Sequence, residues 1–476
     1  MTLKILRNRM LCSCILIQVF LAISGNAQQP YRPDWESLKN IPVPSWFDEA
    51  KFGIFIHWGP QAVCESNDLR LDPPEFGYKD VVPLFKAEHW DSDAWAELFH
   101  EAGARYVILT GEHHDGYALW ASQLTEWCAT KIGPKRDLVG ELAVACRARG
   151  LRFAPSYHRE RHNGFFATAT TRFLVDARPR PEIAREIARM PEAASLYGPF
   201  TVNDAYIADY VARWQEIQRK YEPDFMWIDD IPLYYHPDAN HPQARKFTEA
   251  LKGMIADYFN DAAARGREVY LNNKGRSQPN WPLGVGCRSW DRSQFDEIGP
   301  KFQCPMTMGH SWYYRNDEDR ADSYKSATEL IHILVDVVSK NGNLLLNIGP
   351  KADGTIPAGQ RRRLLEMGEW LATNGQAIYG TRPWKTHGEG DVRFTAKGCV
   401  LYAVFLKEPS PTCTVPSTKG WQASDVKAVT LLGDGELAWS VGRDGLNIRM
   451  PADLKGKHAF VVRIECSRRV CDLPAF

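Results

Sequence analysis

The sequence carries no surplus of charge. Its 58 Lys and Arg stand against 58 Asp and Glu, so no bulk field draws the chain to nucleic acid or to an anionic membrane. No CxxC pair and no HExxH occur, which removes the commonest structural and catalytic zinc motifs. No GxGxxG follows an early strand-like run, which counts against a dinucleotide-binding fold. Internal repeats and low-complexity tracts are missing. With 44% hydrophobic and 24% charged residues, the composition excludes disordered, collagen-like and disulfide-scaffold classes. Long apolar runs are also absent apart from 10–23, which is too short to span a bilayer comfortably.

That run has Lys4, Arg7 and Arg9 ahead of it and Ser24-Gly25-Asn26-Ala27 behind it, the three-part pattern of a cleaved secretory signal. Export is therefore expected, to a periplasm, to the outside, or to a lysosome-like lumen in a eukaryote. Removing residues 1–27 deletes three positive charges and no negative one, leaving about −3, too little to direct binding. Of 11 cysteines, Cys12 and Cys14 leave with the signal. The remaining nine are an odd number, so at least one is unpaired within the chain.

From about Trp46 to Trp384, short β-branched or aromatic runs alternate with longer amphipathic ones. Residues 53–57, 106–110, 152–156, 225–229, 269–272 and 343–348 read as buried strands; 91–102, 138–149, 205–221, 243–264 and 326–339 have helical spacing. Strand then helix, repeated, predicts a parallel α/β fold. Polar and aromatic residues close almost every strand: His57-Trp58, Glu112-His113-His114, Tyr157-His158, Asp229-Asp230 and Asn272-Asn273. In a (β/α)8 barrel such ends converge on one face and make the active site, which favours a TIM-like barrel over a doubly wound sheet. After Trp384 the pattern becomes alternating strands at 392–395, 400–405, 426–431 and 460–464, as in a small antiparallel β-sandwich. The expected organisation is a signal at 1–27, a catalytic barrel at 28–384 and a C-terminal β-sandwich at 385–476.

Within the 225–229 strand, Trp227 and Asp229 share one face. An indole and a carboxylate in the barrel mouth suit sugar chemistry, one as a wall for a ring face, the other as a nucleophile for the anomeric carbon. The competing reading is an acidic strand end that caps the next helix, for which Asp230 is the better candidate. Adjacent His113 and His114 at a strand end can hold a metal or hydrogen-bond hydroxyl groups. Without metal-ligand spacing, neutral imidazoles aimed at hydroxyls are the better reading, and His57 poses the same choice.

Phe52–Gly59, the run Glu112–Trp120, Arg136–Leu142, Trp227-Ile228-Asp229, Ser311-Trp312 and Lys340–Pro350 together resemble the family 29 glycoside hydrolases, the α-L-fucosidases. The resemblance implies a (β/α)8-like barrel with a C-terminal β-sandwich, and retaining hydrolysis of terminal α-L-fucosides without metal or cofactor. It implies Asp229 as nucleophile and His57, His113 and His114 as sugar-hydroxyl contacts, with Tyr157 or His158 contributing. Trp227 and Trp312 would line the pocket. The partner implied is a glycan substrate; nucleic acid and a membrane span are not expected, and oligomeric state is not set.

The chain departs from the family pattern where many members carry the acid/base as the glutamate of a Trp-Glu pair; here the positions read Phe302-Gln303. An amide cannot supply the proton, so the role moves or is lost. Asp291 and Glu297 are the nearest candidates, Asp291 first. A second departure follows His57, where the family's Glu-Trp-Tyr is replaced by Cys64-Glu65-Ser66-Asn67-Asp68, leaving Glu65 as a partial substitute. A third is the charge of His158–His162, whose arginines either read an anionic substituent or pair with nearby acids. Two alternatives follow: a carbohydrate-binding relative that has lost its proton donor, or a hydrolase for an L-galactoside or sulfated fucoside. A metal-dependent hydrolase built on His113 and His114 ranks last.

Overall fold

The computed structural model describes residues 30–65, 77–168, 177–229, 241–274, 281–282, 284–292 and 295–473. The signal expected at 1–27 and the cap expected at Asp230 lie outside the described residues. Eight parallel strands close into a barrel in chain order: β1 (Phe52–Ile56), β2 (Tyr106–Glu112), β3 (Arg152–Tyr157), β4 (Phe225–Ile228), β5 (Tyr270–Asn273), β6 (Cys287–Ser289), β7 (Phe302–Thr307) and β8 (Gly342–Ile348). Closure is made by β1 pairing with both β2 and β8, Ile54 standing opposite Val107 on one side and Leu346 on the other.

The strands are runs such as Phe-Gly-Ile-Phe-Ile that bury every residue, as expected where helices cover the outside and side chains fill the inside. Their connecting helices start where side chains can take the orphaned backbone N–H groups. Asp91 caps Ser92–Glu101, Asp137 caps Leu138–Ala148, and Asn203 caps Asp204–Tyr221; Ser326 and Glu329 form a reciprocal box at the start of Ala327–Ser339. The foot of the barrel is shut by Phe47 of the helix Ser45–Ala50. Its ring stacks on Phe225 at 5.2 Å between centroids and meets Tyr106 and Tyr270, while its carbonyl accepts from Asn343 Nδ2. With one end plugged, ligands enter from the other, where the strand C-termini and their loops lie.

Past the helix Ala358–Asn374 the pairing becomes antiparallel, starting at Arg382. Strands β9 (Arg382–Glu389), β10 (Val392–Lys397), β11 (Val400–Phe405), β13 (Val426–Leu431), β14 (Gly435–Glu436) and β17 (Phe460–Cys466) make a sheet of order 14-13-17-11-10-9. A smaller sheet of β12 (Thr412–Val415), β16 (Gly445–Arg449) and β15 (Ala438–Gly442) shares its core, with Leu446 and Ile448 buried in the same cluster as Leu401, Phe394 and Val462. The sandwich is tied to the barrel by Trp370 Nε1 donating to Ala459 O at 2.9 Å and by Arg393 Nε on Asp336 Oδ1 at 2.7 Å. Cys128, Cys146, Cys287, Cys304, Cys399, Cys413, Cys466 and Cys471 form no disulfide, and no described helix is long and apolar enough to cross a membrane.

Candidate active site

A cavity of about 300 Å³ opens at the C-terminal mouth of the barrel, lined by residues that include Phe55, His57, His113, His114, His158, Trp227, Asp229, Asp291 and Trp312. That volume is at the small end of ligand sites and suits a single sugar ring. Phe55 and Trp227, fully buried and 4.8 Å apart by ring centroid, make its floor. His158 stacks on Trp227 at 5.0 Å. Trp312 closes the side over His57, also at 5.0 Å. Trp227 and Asp229 both face the cavity, as the two-residue period requires.

Each histidine is oriented from behind. His57 Nδ1 donates to Asn347 Oδ1 at 2.6 Å, and Asn347 Nδ2 is anchored on Trp312 O at 2.7 Å. The Nε2 of His57 is thereby left as an acceptor. Burial holds its pKa down at about 4, so the ring is neutral. His113 accepts at Nδ1 from Gln61 Nε2 (3.0 Å), which also donates to Asp115 Oδ2; Tyr78 donates its hydroxyl to the same carboxylate oxygen. Burial and the neighbouring imidazoles press the His113 pKa well down, so this ring too is neutral and presents Nε2–H. One acceptor and one donor side by side are what two vicinal hydroxyls need. His114 donates from Nδ1 to His158 O at 2.5 Å and places Nε2 3.3 Å from Asp229 Oδ2. The turn that follows requires Gly116: its φ is +81°, and a Cβ there would lie 2.4 Å from the His162 ring.

Asp229 meets a second partner that the sequence pattern does not announce. Lys274, the residue after β5, sets Nζ 2.9 Å from Asp229 Oδ1 and 2.7 Å from Asp291 Oδ1. Arg161 reaches to 3.8 Å from Asp229 Oδ2. Burial alone would raise the Asp229 pKa. The Lys274 ammonium, the His114 hydrogen bond and the Arg161 guanidinium outweigh it and hold the carboxyl well below its usual range, ionised and ready to attack. Lys274 is in turn held charged by the two carboxylates against its own burial.

The other expected residues separate. Tyr157 is not in the cavity: its hydroxyl donates to Tyr210 O at 2.9 Å behind the barrel wall, and His158 takes the place. Glu297 is exposed and stands near His387 of β9, away from the cavity. Glu65 is exposed as well, and Gln61 lines the cavity instead. Arg159 does not face a ligand; it is buried against Glu112 and Asp209. Gln303 is fully buried inside the barrel, accepting from Trp227 Nε1 at 2.9 Å and donating to Tyr106 Oη at 3.1 Å. The side chain at 303 thus braces the floor and does not reach a leaving group, so its being an amide says nothing about proton donation. Gln303→Glu is expected to leave cleavage of poor-leaving-group substrates no faster, and to cost about 1–3 kcal/mol of stability from the added buried acid. Parallel rate and thermal-melting measurements check both; a gain in rate would place the side chain in the cavity.

Two groups of ligand atoms lie within 4.8 Å of one another: His57, His113 and His158, and His114, His158 and Asp229. Both are poorly suited to a cation. In the first group His113 accepts from Gln61 at Nδ1 and so carries its proton on Nε2, and in the second the Asp229 carboxylate already carries Lys274 and Arg161.

A closed barrel with a sugar-sized cavity, an aromatic floor, neutral histidines and an ionised aspartate at the end of β4 defines a glycoside hydrolase. The family model for α-L-fucosidase matches residues 19–376, and the chain belongs to the α-L-fucosidase family. Tissue α-L-fucosidase of Bos taurus is 32% identical over 91% of each chain. Plasma α-L-fucosidase of Homo sapiens is 32% identical over 88% of each. The structure of the Thermotoga maritima α-fucosidase in complex with fucose superposes with a TM-score of 0.72 at 33% identity, covering 91% of this chain and all of that one.

Proposed function

We propose that this α-L-fucosidase releases terminal α-L-fucose from glycans with retention of configuration, Asp229 attacking the anomeric carbon and Asp291 acting as acid and then base. The observation that carries this reading is the shared Lys274. Because one nitrogen bonds both carboxylates, their Oδ1 atoms lie no farther apart than 5.6 Å, the sum of 2.9 and 2.7 Å. Retaining enzymes hold the pair about 5–5.5 Å apart, whereas inverting ones need about 6.5–9.5 Å to admit a water. Asp229 is buried and charged while Asp291 is the more exposed, the side from which a leaving group departs and water enters.

In the first step the Asp229 carboxylate forms a bond to C1 as the C1–O bond to the aglycone breaks, and the Asp291 proton goes to the departing oxygen. In the second, water adds to C1 while Asp291 takes its proton, and Asp229 leaves as carboxylate. His57 and His113 hold ring hydroxyls, and the Trp227 face packs an apolar face of the sugar. Asp291→Ala is expected to lower kcat/KM little for an aryl fucoside with a good leaving group and about 10²-fold or more for one with a poor leaving group. Glu297→Ala should match the wild type on both. Proton NMR of the first-formed fucose tests the stereochemistry: the α-anomer is expected first, and the β-anomer first would overturn retention.

We also propose, on the charge and hydropathy pattern of residues 1–27, that the chain is exported and cleaved near Ala27. Mass measurement of the protein from its native source tests this.

A further inference from the structure

The reaction scheme above does not call for a cation between its two carboxylates, yet Lys274 occupies that position. Its side chain is 12% exposed and lies over the Trp227 ring with Nζ 4.9 Å from the centroid. It therefore reaches the carboxylates from beneath, against the floor of the sugar site. We propose that Lys274 is a positioning residue that transfers its charge from Asp229 to Asp291 during the reaction and so converts Asp291 from acid to base. This rests on the assignment of Asp229 as nucleophile and Asp291 as acid/base.

Before attack, with a proton on Asp291, the ammonium is compensated by the Asp229 carboxylate at 2.9 Å. Attack converts that carboxylate to a neutral ester, and one negative charge disappears from beside a buried cation. An uncompensated buried charge is costly, and the nearest oxygen that can replace it is Asp291 Oδ1 at 2.7 Å. Transfer of the Asp291 proton to the leaving oxygen supplies the missing charge. Glycosylation of Asp229 and release of the Asp291 proton thus favour one another through a nitrogen that itself gives up no proton. In the second step the same pair keeps Asp291 ionised until it takes a proton from water. Asp229 then leaves as carboxylate and Lys274 is shared again.

The other groups facing the pair do not make this exchange. Asp229 also faces His114 and His158, neighbouring His57, and Arg161. From β7, Asp291 faces the Cys304 thiol, which burial pushes up to about 12 and so keeps neutral. Lys274 is bonded to both carboxylates.

The test compares Lys274→Met, Lys274→Arg and Asp291→Asn with wild type in the whole enzyme. The readouts are pH profiles of kcat/KM on a poor-leaving-group fucoside and pre-steady-state kinetics on a good one. A cation favours the ionised form of each neighbouring carboxyl, so its removal is expected to move both limbs of the profile to higher pH, by about one unit or more. Slowed second-step chemistry should appear as a burst, with kcat and KM on the good-leaving-group substrate falling together. Lys274→Arg should keep the limbs near their wild-type positions. If the alkaline limb is lost in Asp291→Asn but both limbs stay in place in Lys274→Met, the charge transfer is overturned and the assignment of Asp291 stands. If Asp291→Asn leaves the alkaline limb in place, Asp291 is not the acid and both readings fall. A purely structural lysine would lower the folded fraction or raise KM without moving either limb.

Discussion

Asp229→Asn is expected to lower kcat on an aryl α-L-fucoside by about 10³-fold or more while the protein stays folded and still binds fucose. The asparagine amide has the shape of the carboxylate and its oxygen can still accept from Lys274 Nζ, 2.9 Å from Asp229 Oδ1, so the cavity should keep its form. What it lacks is a charged oxygen able to form the glycosyl ester. Steady-state rates, calorimetric fucose binding and a circular dichroism melt separate these effects. A shorter side chain sharpens the test. Asp229→Gly opens the face below C1, and azide added to that variant should attack from there, giving β-L-fucosyl azide from an α-L-fucoside. Wild-type turnover in Asp229→Asn, or an α-azide product from Asp229→Gly, would remove Asp229 from the mechanism.

Asp229 was legible because β4 is a short apolar strand whose period puts Trp227 and Asp229 on one face, and a barrel gathers strand ends. The same logic brought out His57, His113, His114 and His158. Two strands, β6 and β7, were not legible. Cys287-Arg-Ser carries three residues and no apolar run, and Phe302-Gln-Cys-Pro-Met-Thr mixes an amide and a proline into its six. They are strands because β5 and β8 offer ladders on either side, a condition met only when the barrel closes. Lys274 was hidden for a related reason. It stands 45 positions beyond Asp229 and 17 before Asp291, and no spacing rule connects the three; the barrel curvature does. Gln303 shows the converse limit. Matching a family motif placed it at the proton donor's position, but its side chain points into the barrel interior, where Trp227 Nε1 and Tyr106 Oη need partners.

The charges of the His158–His162 segment resolve into two functions, and the buried one governs the last prediction. Arg159 is 2% exposed and bonds Glu112 Oε1 at 2.5 Å and Asp209 Oδ2 at 2.6 Å. Arg213 bonds Glu112 Oε2 at 3.2 Å and Asp209 at 3.1 Å. Two guanidinium groups and two carboxylates thus form a neutral ring around Glu112, whose side chain is wholly buried. Removing one carboxylate leaves two cations on Asp209 alone. Glu112→Ala is therefore expected to cost about 3–5 kcal/mol, the range for breaking a buried ion pair from one side. Against a total of about 5–15 kcal/mol, that should lower the urea midpoint sharply or prevent soluble expression. Glu112→Gln keeps the shape and one accepting oxygen but loses the charge and turns an NH2 toward one of the two guanidinium groups, so it should fold with an intermediate midpoint and allow the comparison if Glu112→Ala fails. Arg159 lies between His158, which stacks on Trp227, and Arg161, which reaches Asp229. The folded Glu112→Gln enzyme should therefore also show a raised KM for fucosides, because loosening Arg159 loosens both neighbours. A midpoint and a KM equal to wild type would mean that the ring adds nothing, and that the β3 loop is held by its backbone and by the Tyr206 hydroxyl, which donates to Arg159 O at 2.7 Å.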